Sequence, residues 1–197
     1  MRFSEIKKQL SRFSVGIAGA GGLGSNCAVA LARTGIGRLV IADYDIVEAG
    51  NLNRQYFFTR QVGMKKTEAL KENLRDINPD TLVEIHSIKL KEDNIPAIFS
   101  DCDIIVEAFD RGEMKKMLAE TVISTWPERP LIIGSGLAGY GDNNKLRERR
   151  IGSTLIICGD EETEVSEELP PLAPRVAIIA NMQANVVIEL LLKRNNA

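Results

Sequence analysis

Apolar positions along this chain fall into short continuous runs, separated by longer stretches in which they recur at helical spacing. Residues 14–18 form one such run, followed at once by Gly19-Ala-Gly21-Gly22-Leu-Gly24 and then by a helical pattern through Arg33 that puts Leu23, Cys27 and Leu31 on one face. The order is strand, tight turn, helix. Residues 38–43 predict a second strand, a polar loop runs to about residue 61, and a helix over about 66–78 stops at Pro79, which lacks the N–H to continue it. Residues 82–88 alternate as a strand, 93–100 predict a short helix, 103–109 a buried strand, 112–125 a helix and 130–136 a fifth strand. Alternation of this kind predicts an α/β, Rossmann-like fold: a mostly parallel sheet covered by helices on both faces. Past Gly141 the pattern changes. Residues 143–158 read as two extended segments joined at Ile151-Gly152-Ser153, a hairpin adding antiparallel strands in the C-terminal part. Residues 159–174 are acidic and proline-bearing, which is loop chemistry, and a final helix follows. No repeat or linker interrupts the pattern, so one domain is expected over 1–197.

Composition narrows the partners. With 25 basic and 27 acidic residues the net charge is -2, so no broad field favours nucleic acid or an anionic membrane, and neither is expected as a partner. The N-terminus lacks the apolar core of a signal peptide. The longest apolar stretch, 176–192, is broken by Asn181, Gln183, Asn185 and Glu189, and predicts a buried helix rather than a membrane span. Cys27, Cys102 and Cys158 are far apart and form no Cys-x-x-Cys pair, which predicts a cytoplasmic protein with neither disulfide framework nor structural zinc.

The glycine run matches Gly-x-Gly-x-x-Gly between a strand and a helix. Gly19, Gly21, Gly22 and Gly24 let the backbone turn tightly and approach a phosphate at the helix N-terminus. Asp43 closes the second strand 19 residues after Gly24, placed to accept ribose hydroxyls. These features alone favour a nicotinamide- or flavin-dependent oxidoreductase. The next segment changes that. Asp45, Asn51, Asn53, Arg54 and Gln55 cluster just past the second strand, and hydride transfer has no need of them. A triphosphate being cleaved does, because charge accumulates on the leaving pyrophosphate and a guanidinium fork binds it in two places. Lys66 before the next helix and Asp110 after the fourth strand extend the set, the lysine for phosphate charge and the aspartate for Mg²⁺. Taken singly, Lys66 also reads as a solvated helix cation and Asp110 as a helix N-cap.

At these residues the chain resembles the ThiF/MoeB/HesA family, bacterial relatives of ubiquitin-activating enzymes. The resemblance rests on GAGGLG, the DYDIVEAGNLNRQ block, VGMKK, the INP at 77–79 and the strand ending in Asp110; SGLAGYG, RRIG and APRVAIIANMQAN are most similar to the compact ThiF proteins of thiamine biosynthesis. It implies that Asp43 binds ribose, that Arg54, Gln55 and Lys66 bind phosphates, and that Asp110 holds Mg²⁺. The implied reaction is ATP-dependent adenylation of the C-terminal glycine of a ThiS-like ubiquitin-fold sulfur carrier, by a homodimer. Larger members carry zinc-binding Cys-x-x-Cys pairs that are missing here, so no zinc is implied. Some relatives use a cysteine in the crossover loop. Here 159–174 contains none, and Cys158 just before it reads as a small buried residue. Arg111 stands where the family usually has Asn, and Arg2 and Arg12 are the candidates for an arginine that reaches across a dimer. Three alternatives stand beside this reading: TcdA-like adenylation of a tRNA-linked carboxylate, which would use Lys145, Arg147, Arg149 and Arg150; an NAD-binding oxidoreductase; and a non-catalytic carrier-binding scaffold.

Overall fold

A computed structural model describes residues 1–194. Its sheet has seven strands: β1 (Ser14–Ala18), β2 (Arg38–Ala42), β3 (Leu82–His86), β4 (Ile104–Glu107), β5 (Leu131–Gly134), β6 (Arg147–Ile151) and β7 (Leu155–Gly159), in the order β3-β2-β1-β4-β5-β7-β6. Every neighbouring pair is parallel except β6 and β7. The helices are α1 (Phe3–Leu10), α2 (Gly22–Thr34), α3 (Lys66–Ile77), the single turn α4 (Ile95–Ile98), α5 (Gly112–Thr125) and α6 (Ala173–Arg194).

Strand β1 shows why an apolar run becomes a central parallel strand. All five of its residues are buried, because helices cover both faces. Val15 and Ile17 point into a core built with α1, α2, α3 and α6, which supply Leu10, Leu31, Leu70 and Ile179 among others. Ala18 points the other way, with Val40 and Ile105, into a second core against α4 and α5 that contains Phe99, Leu118 and Val122. Gly16 lies on that second face, where a Cβ would come within 2.6 Å of the Phe99 ring. The chain leaves β1 for β2 and β3 on one side, then returns to β4 on the other. That reversal opens a crevice at the carboxyl ends of β1 and β4, where open α/β sheets bind ligands.

The α/β architecture matches the expectation, with local differences. The amphipathic N-terminus forms α1, an element the apolar pattern did not announce, and it seats Leu10 in the core. The helix expected over 93–100 shrinks to α4, with Pro96 in its first turn and Asn94 folding back to accept the Lys91 N–H. The fourth strand stops at Glu107, whose carboxylate takes the Phe109 N–H at 2.6 Å and turns the chain away from the sheet. Of the two C-terminal strands only β6 runs antiparallel to its neighbour, since β7 also pairs in parallel with β5. Helix α6 is long and apolar enough to cross a membrane, but Val176, Ile179, Gln183, Val187 and Leu191 are buried against the rest of the protein. The expected domain of 1–197 includes residues 195–197, which lie outside the described ones.

Candidate active site

Local chemistry at the end of β1 creates the first wall of the site. Gly19 has φ +104°, and a Cβ there would stand 2.8 Å from the Ala108 carbonyl oxygen, so only glycine fits. Gly21 precedes α2 and no side chain caps the helix, which leaves its first-turn N–H groups facing the crevice. Gly24 serves packing instead. A Cβ there would lie 1.9 Å from the Gly19 carbonyl oxygen, so this glycine lets helix and loop approach closely. Gly19, Gly21 and Gly22 line a cavity of about 800 Å³, and Gly24 lies behind them.

Asp43 follows β2 directly, on the same cavity. Its Oδ2 accepts the Ala20 N–H at 2.6 Å and its Oδ1 the Asp45 N–H at 2.8 Å, which fixes the carboxylate beside the glycine loop with lone pairs left for hydroxyl donors. Burial raises its pKa above the usual carboxylate value, opposed by those two N–H groups and by Lys66. Lys66 is the first residue of α3, where the helix was expected to begin. It is 6% exposed, and its Nζ lies 2.8 Å from Asp45 Oδ2 on the cavity wall, which removes the reading as a solvated cation.

The polar segment after β2 is tied to the first turns of α2. Asn26 Nδ2 donates to the Arg54 carbonyl at 3.0 Å, and the Tyr56 N–H donates to Ser25 Oγ at 2.9 Å. Further support comes from a buried amide pair, Gln61 and Asn73, which also holds the Tyr56 carbonyl. So anchored, Arg54 and Gln55 face the cavity. The Arg54 guanidinium donates to the Gly50 carbonyl and to Asn53 Oδ1 and has no carboxylate partner among the described residues. Gln55 is buried and its Oε1 has no partner among the described residues. Asn51 sits elsewhere: its side chain accepts the Glu48 N–H at 3.0 Å in a local turn, and it does not line the cavity.

Asp110 is exposed and lines the same cavity. Arg111, not Asp110, occupies the position before α5, and no side-chain cap bond forms there, so the aspartate is free of that structural duty. Arg111 lines the same cavity. Arg2 and Arg12 are exposed at the two ends of α1, away from the cavity of their own chain. Cys158 is buried at the end of β7 with its thiol pushed up to about 12 by burial, which suits a packing residue.

Several cavity residues escaped the sequence reading. Lys115 from α5 reaches the wall and pairs with the fully buried Glu107, while Ser135, Gly136 and Leu137 extend the wall from β5. The only signal for the first pair was a lone carboxylate inside an apolar run. From the long loop after β7, Thr163, Glu164 and Val165 close one side. That loop is rooted by a buried ion pair, Asp160 Oδ2 to Arg175 Nη2 at 2.5 Å. Asp160 Oδ1 also takes the Glu162 and Thr163 N–H groups, each at 2.9 Å. Burial pushes the Asp160 carboxyl up, but these bonds outweigh it and hold its pKa below the usual value.

A model of the ThiF family matches residues 3–197. The chain belongs to the ThiF family. Among its relatives, the adenylyltransferase and sulfurtransferase MOCS3 of Aedes aegypti is 38% identical over 130 residues, a match spanning 66% of this chain and 29% of that protein. The ubiquitin-like modifier-activating enzyme 5 of Arabidopsis thaliana is 47% identical over 83 residues, spanning 42% of this chain and 19% of that protein. The matched segments of this ThiF-family chain therefore span less than a third of either relative's length. Solved structures share the fold, two among them being instructive. One is the E. coli tRNA N6-threonylcarbamoyladenosine dehydratase TcdA in complex with AMP, at TM-score 0.88 and 20% identity, covering 98% of this chain and 91% of that one. The other is E. coli MccB with ATP, at TM-score 0.72 and 24% identity, covering 94% and 58%.

Proposed function

We propose that this chain uses ATP to adenylate a carboxylate, and that the carboxylate is the C-terminal glycine of a ThiS-like sulfur carrier, as in thiamine thiazole biosynthesis. The observation that carries the reading is the Arg54 guanidinium, with no carboxylate partner among the described residues, in the same cavity as an uncapped helix N-terminus and the fixed carboxylate of Asp43. Asp43 takes the ribose hydroxyls. The first turn of α2, Gln55, Arg54 and Lys66 take the phosphates, the α2 N–H groups as fixed dipoles and the two cations as charge. The carrier carboxylate attacks the α-phosphorus, the bond to the β-phosphate oxygen breaks, and the products are acyl adenylate and pyrophosphate. No side-chain nucleophile is needed. Orientation and stabilisation of the leaving charge supply the rate.

The family resemblance implies Mg²⁺. Among the described residues no three His, Cys, Asp or Glu side chains gather as a metal cage. Asp110 alone on an open wall fits the habit of Mg²⁺, which takes one or two carboxylates and completes its shell with phosphate oxygens and water. When bound, the ion would neutralise charge on the phosphates.

A protein carrier is favoured over tRNA by the charges around the cavity mouth. The basic cluster at β6 is neutralised internally: Arg149 pairs with Glu161, and Arg150 with Glu148 and Glu189. In the following loop Asp160 and Glu161 are occupied, while Glu162, Glu164, Glu167 and Glu168 are exposed and form no ion pair among the described residues. These four can steer a carrier with a basic surface, an effect that salt screens. Changing all four to Gln should slow carrier association at low salt and have little effect at high salt, as read by stopped flow; equal rates at low salt would leave the loop as a tether only. Glu161 is excluded because its loss would unpair Arg149.

The deciding experiment is ATP–pyrophosphate exchange with purified ThiS-like carriers and, in parallel, with tRNA. Carrier-dependent exchange is expected. Exchange that responds to tRNA alone would move the assignment to the TcdA-like reading. Calorimetry should give binding of Mg-ATP in preference to NAD, and tight NAD binding with no ATP signal would return the chain to the oxidoreductase reading. The proposal includes a homodimer, which sedimentation tests.

A further inference from the structure

Glu107 ends β4 with its side chain fully buried, and no step above uses it. Its carboxylate accepts two bonds from Lys115 Nζ, at 2.8 and 3.0 Å, and the Phe109 N–H at 2.6 Å. The same Nζ donates to the Gly134 carbonyl at 2.8 Å. One ammonium thereby bonds the end of β4 and the end of β5 from the first turns of α5. The Glu107 carbonyl in turn accepts Gln183 Nε2 from α6 at 2.9 Å.

These bonds bracket two working parts of the cavity. The turn closed by the Phe109 N–H carries Asp110, and Gly134 leads into Ser135, Gly136 and Leu137. Between them and the glycine loop lies Ala108, whose N–H donates to the Ala18 carbonyl at 2.9 Å. Such a pair is a poor source of stability, because desolvating two charges costs about what their attraction returns, and well-packed apolar residues of similar volume often do as well. What it supplies is direction. Three acceptors on one Nζ fix the spacing of two strand ends, which apolar contacts leave free to slide.

We propose that Glu107 and Lys115 are positioning residues that hold the Asp110 turn and the Gly134 to Leu137 wall at the spacing the transition state of carboxylate activation requires. The inference rests on the adenylation reading. The glycine loop, Asp43 and Arg54 are carried by β1, α2 and the segment after β2, and none of them bonds Glu107 or Lys115, so ground-state nucleotide binding should depend on the pair far less than the rate does. Rate and affinity should therefore separate.

Two variants test this. Glu107→Leu/Lys115→Met keeps volume and removes both charges, and Glu107→Asp keeps the charge but draws the carboxylate back by one methylene. Each is expected to bind ATP, measured by calorimetry without Mg²⁺, with an affinity that falls far less than the rate, and to lower kcat of carrier-dependent exchange by about 10–100-fold, the scale of a misplacement of about 1 Å. If the double variant does not fold, Glu107→Asp decides. Folded variants with wild-type kcat, or with affinity falling in step with kcat, overturn the inference and leave the adenylation reading standing. Wild-type protein that gives no exchange with carrier or tRNA sinks the adenylation reading and this inference with it.

Discussion

Replacing Arg54 with alanine is expected to lower carrier adenylation by about 10²–10³-fold, the cost of losing one transition-state donor, while nucleotide affinity changes far less. In the proposed reaction the charge that Arg54 meets develops as the α–β bond breaks, so its contribution would fall on the rate. Stability should be nearly untouched: among the described residues the guanidinium bonds a backbone carbonyl and its neighbour Asn53, and its loss leaves none of their carboxylates unpaired. The Arg54 backbone is held separately by Asn26. Arg54→Lys should rescue only in part, because an ammonium keeps the charge without the two-pronged geometry. Single-turnover kinetics beside a thermal melt make the comparison. A stable Arg54→Ala protein with near-normal adenylation would remove Arg54 from the mechanism, and parallel loss of stability and nucleotide binding would make it a loop brace.

Arg175→Met should produce the largest loss of stability, about 3–5 kcal/mol, the usual cost of removing one partner from a buried ion pair. Asp160 and Arg175 have side chains 2% and 4% exposed, and the arginine also donates to the Gly141 carbonyl at 2.6 Å. The pH dependence has a definite sign. The folded-state pKa of Asp160 lies below its ordinary value of 3.8, so its stabilising contribution is complete above that pH and is lost as pH falls below it. In the variant the carboxylate keeps its burial and loses its cation. The deficit should be greatest near neutrality and shrink in acid as Asp160 protonates. Urea denaturation of both proteins at neutral pH and at about pH 4 reads this directly, and a deficit that is independent of pH would place the loss in packing rather than charge.

The alternation of strands and helices was legible because each parallel strand is buried on both faces and reads as an unbroken apolar run, as in 14–18. Much of the cavity was legible for a related reason: the glycine turn, Asp43 and the segment holding Arg54 and Gln55 are close in sequence and close in space. Local geometry decided what sequence could not. Nothing in NLNRQ tells that Asn51 turns back to the Glu48 N–H while Gln55 faces the cavity; the short turn at Ala49–Asn51 makes that choice. Lys66 taken singly also fitted a surface cation, and the contact with Asp45 that buries it decides against that reading. Glu107 with Lys115 and Asp160 with Arg175 depend on packing between separate elements, and a charge inside an apolar run or an acidic tract gives no address for its partner.

Strand β6 terminates the sheet with every residue exposed and four of its five residues charged, in the run Arg-Glu-Arg-Arg-Ile. A strand approaching that edge would have to desolvate those charges and break the pairs of Arg149 with Glu161 and of Arg150 with Glu148 and Glu189. Sheets guarded in this way resist extension by a neighbour. Copies of the protein should therefore stay apart at this border even when concentrated, and a partner strand does not find its docking site along β6.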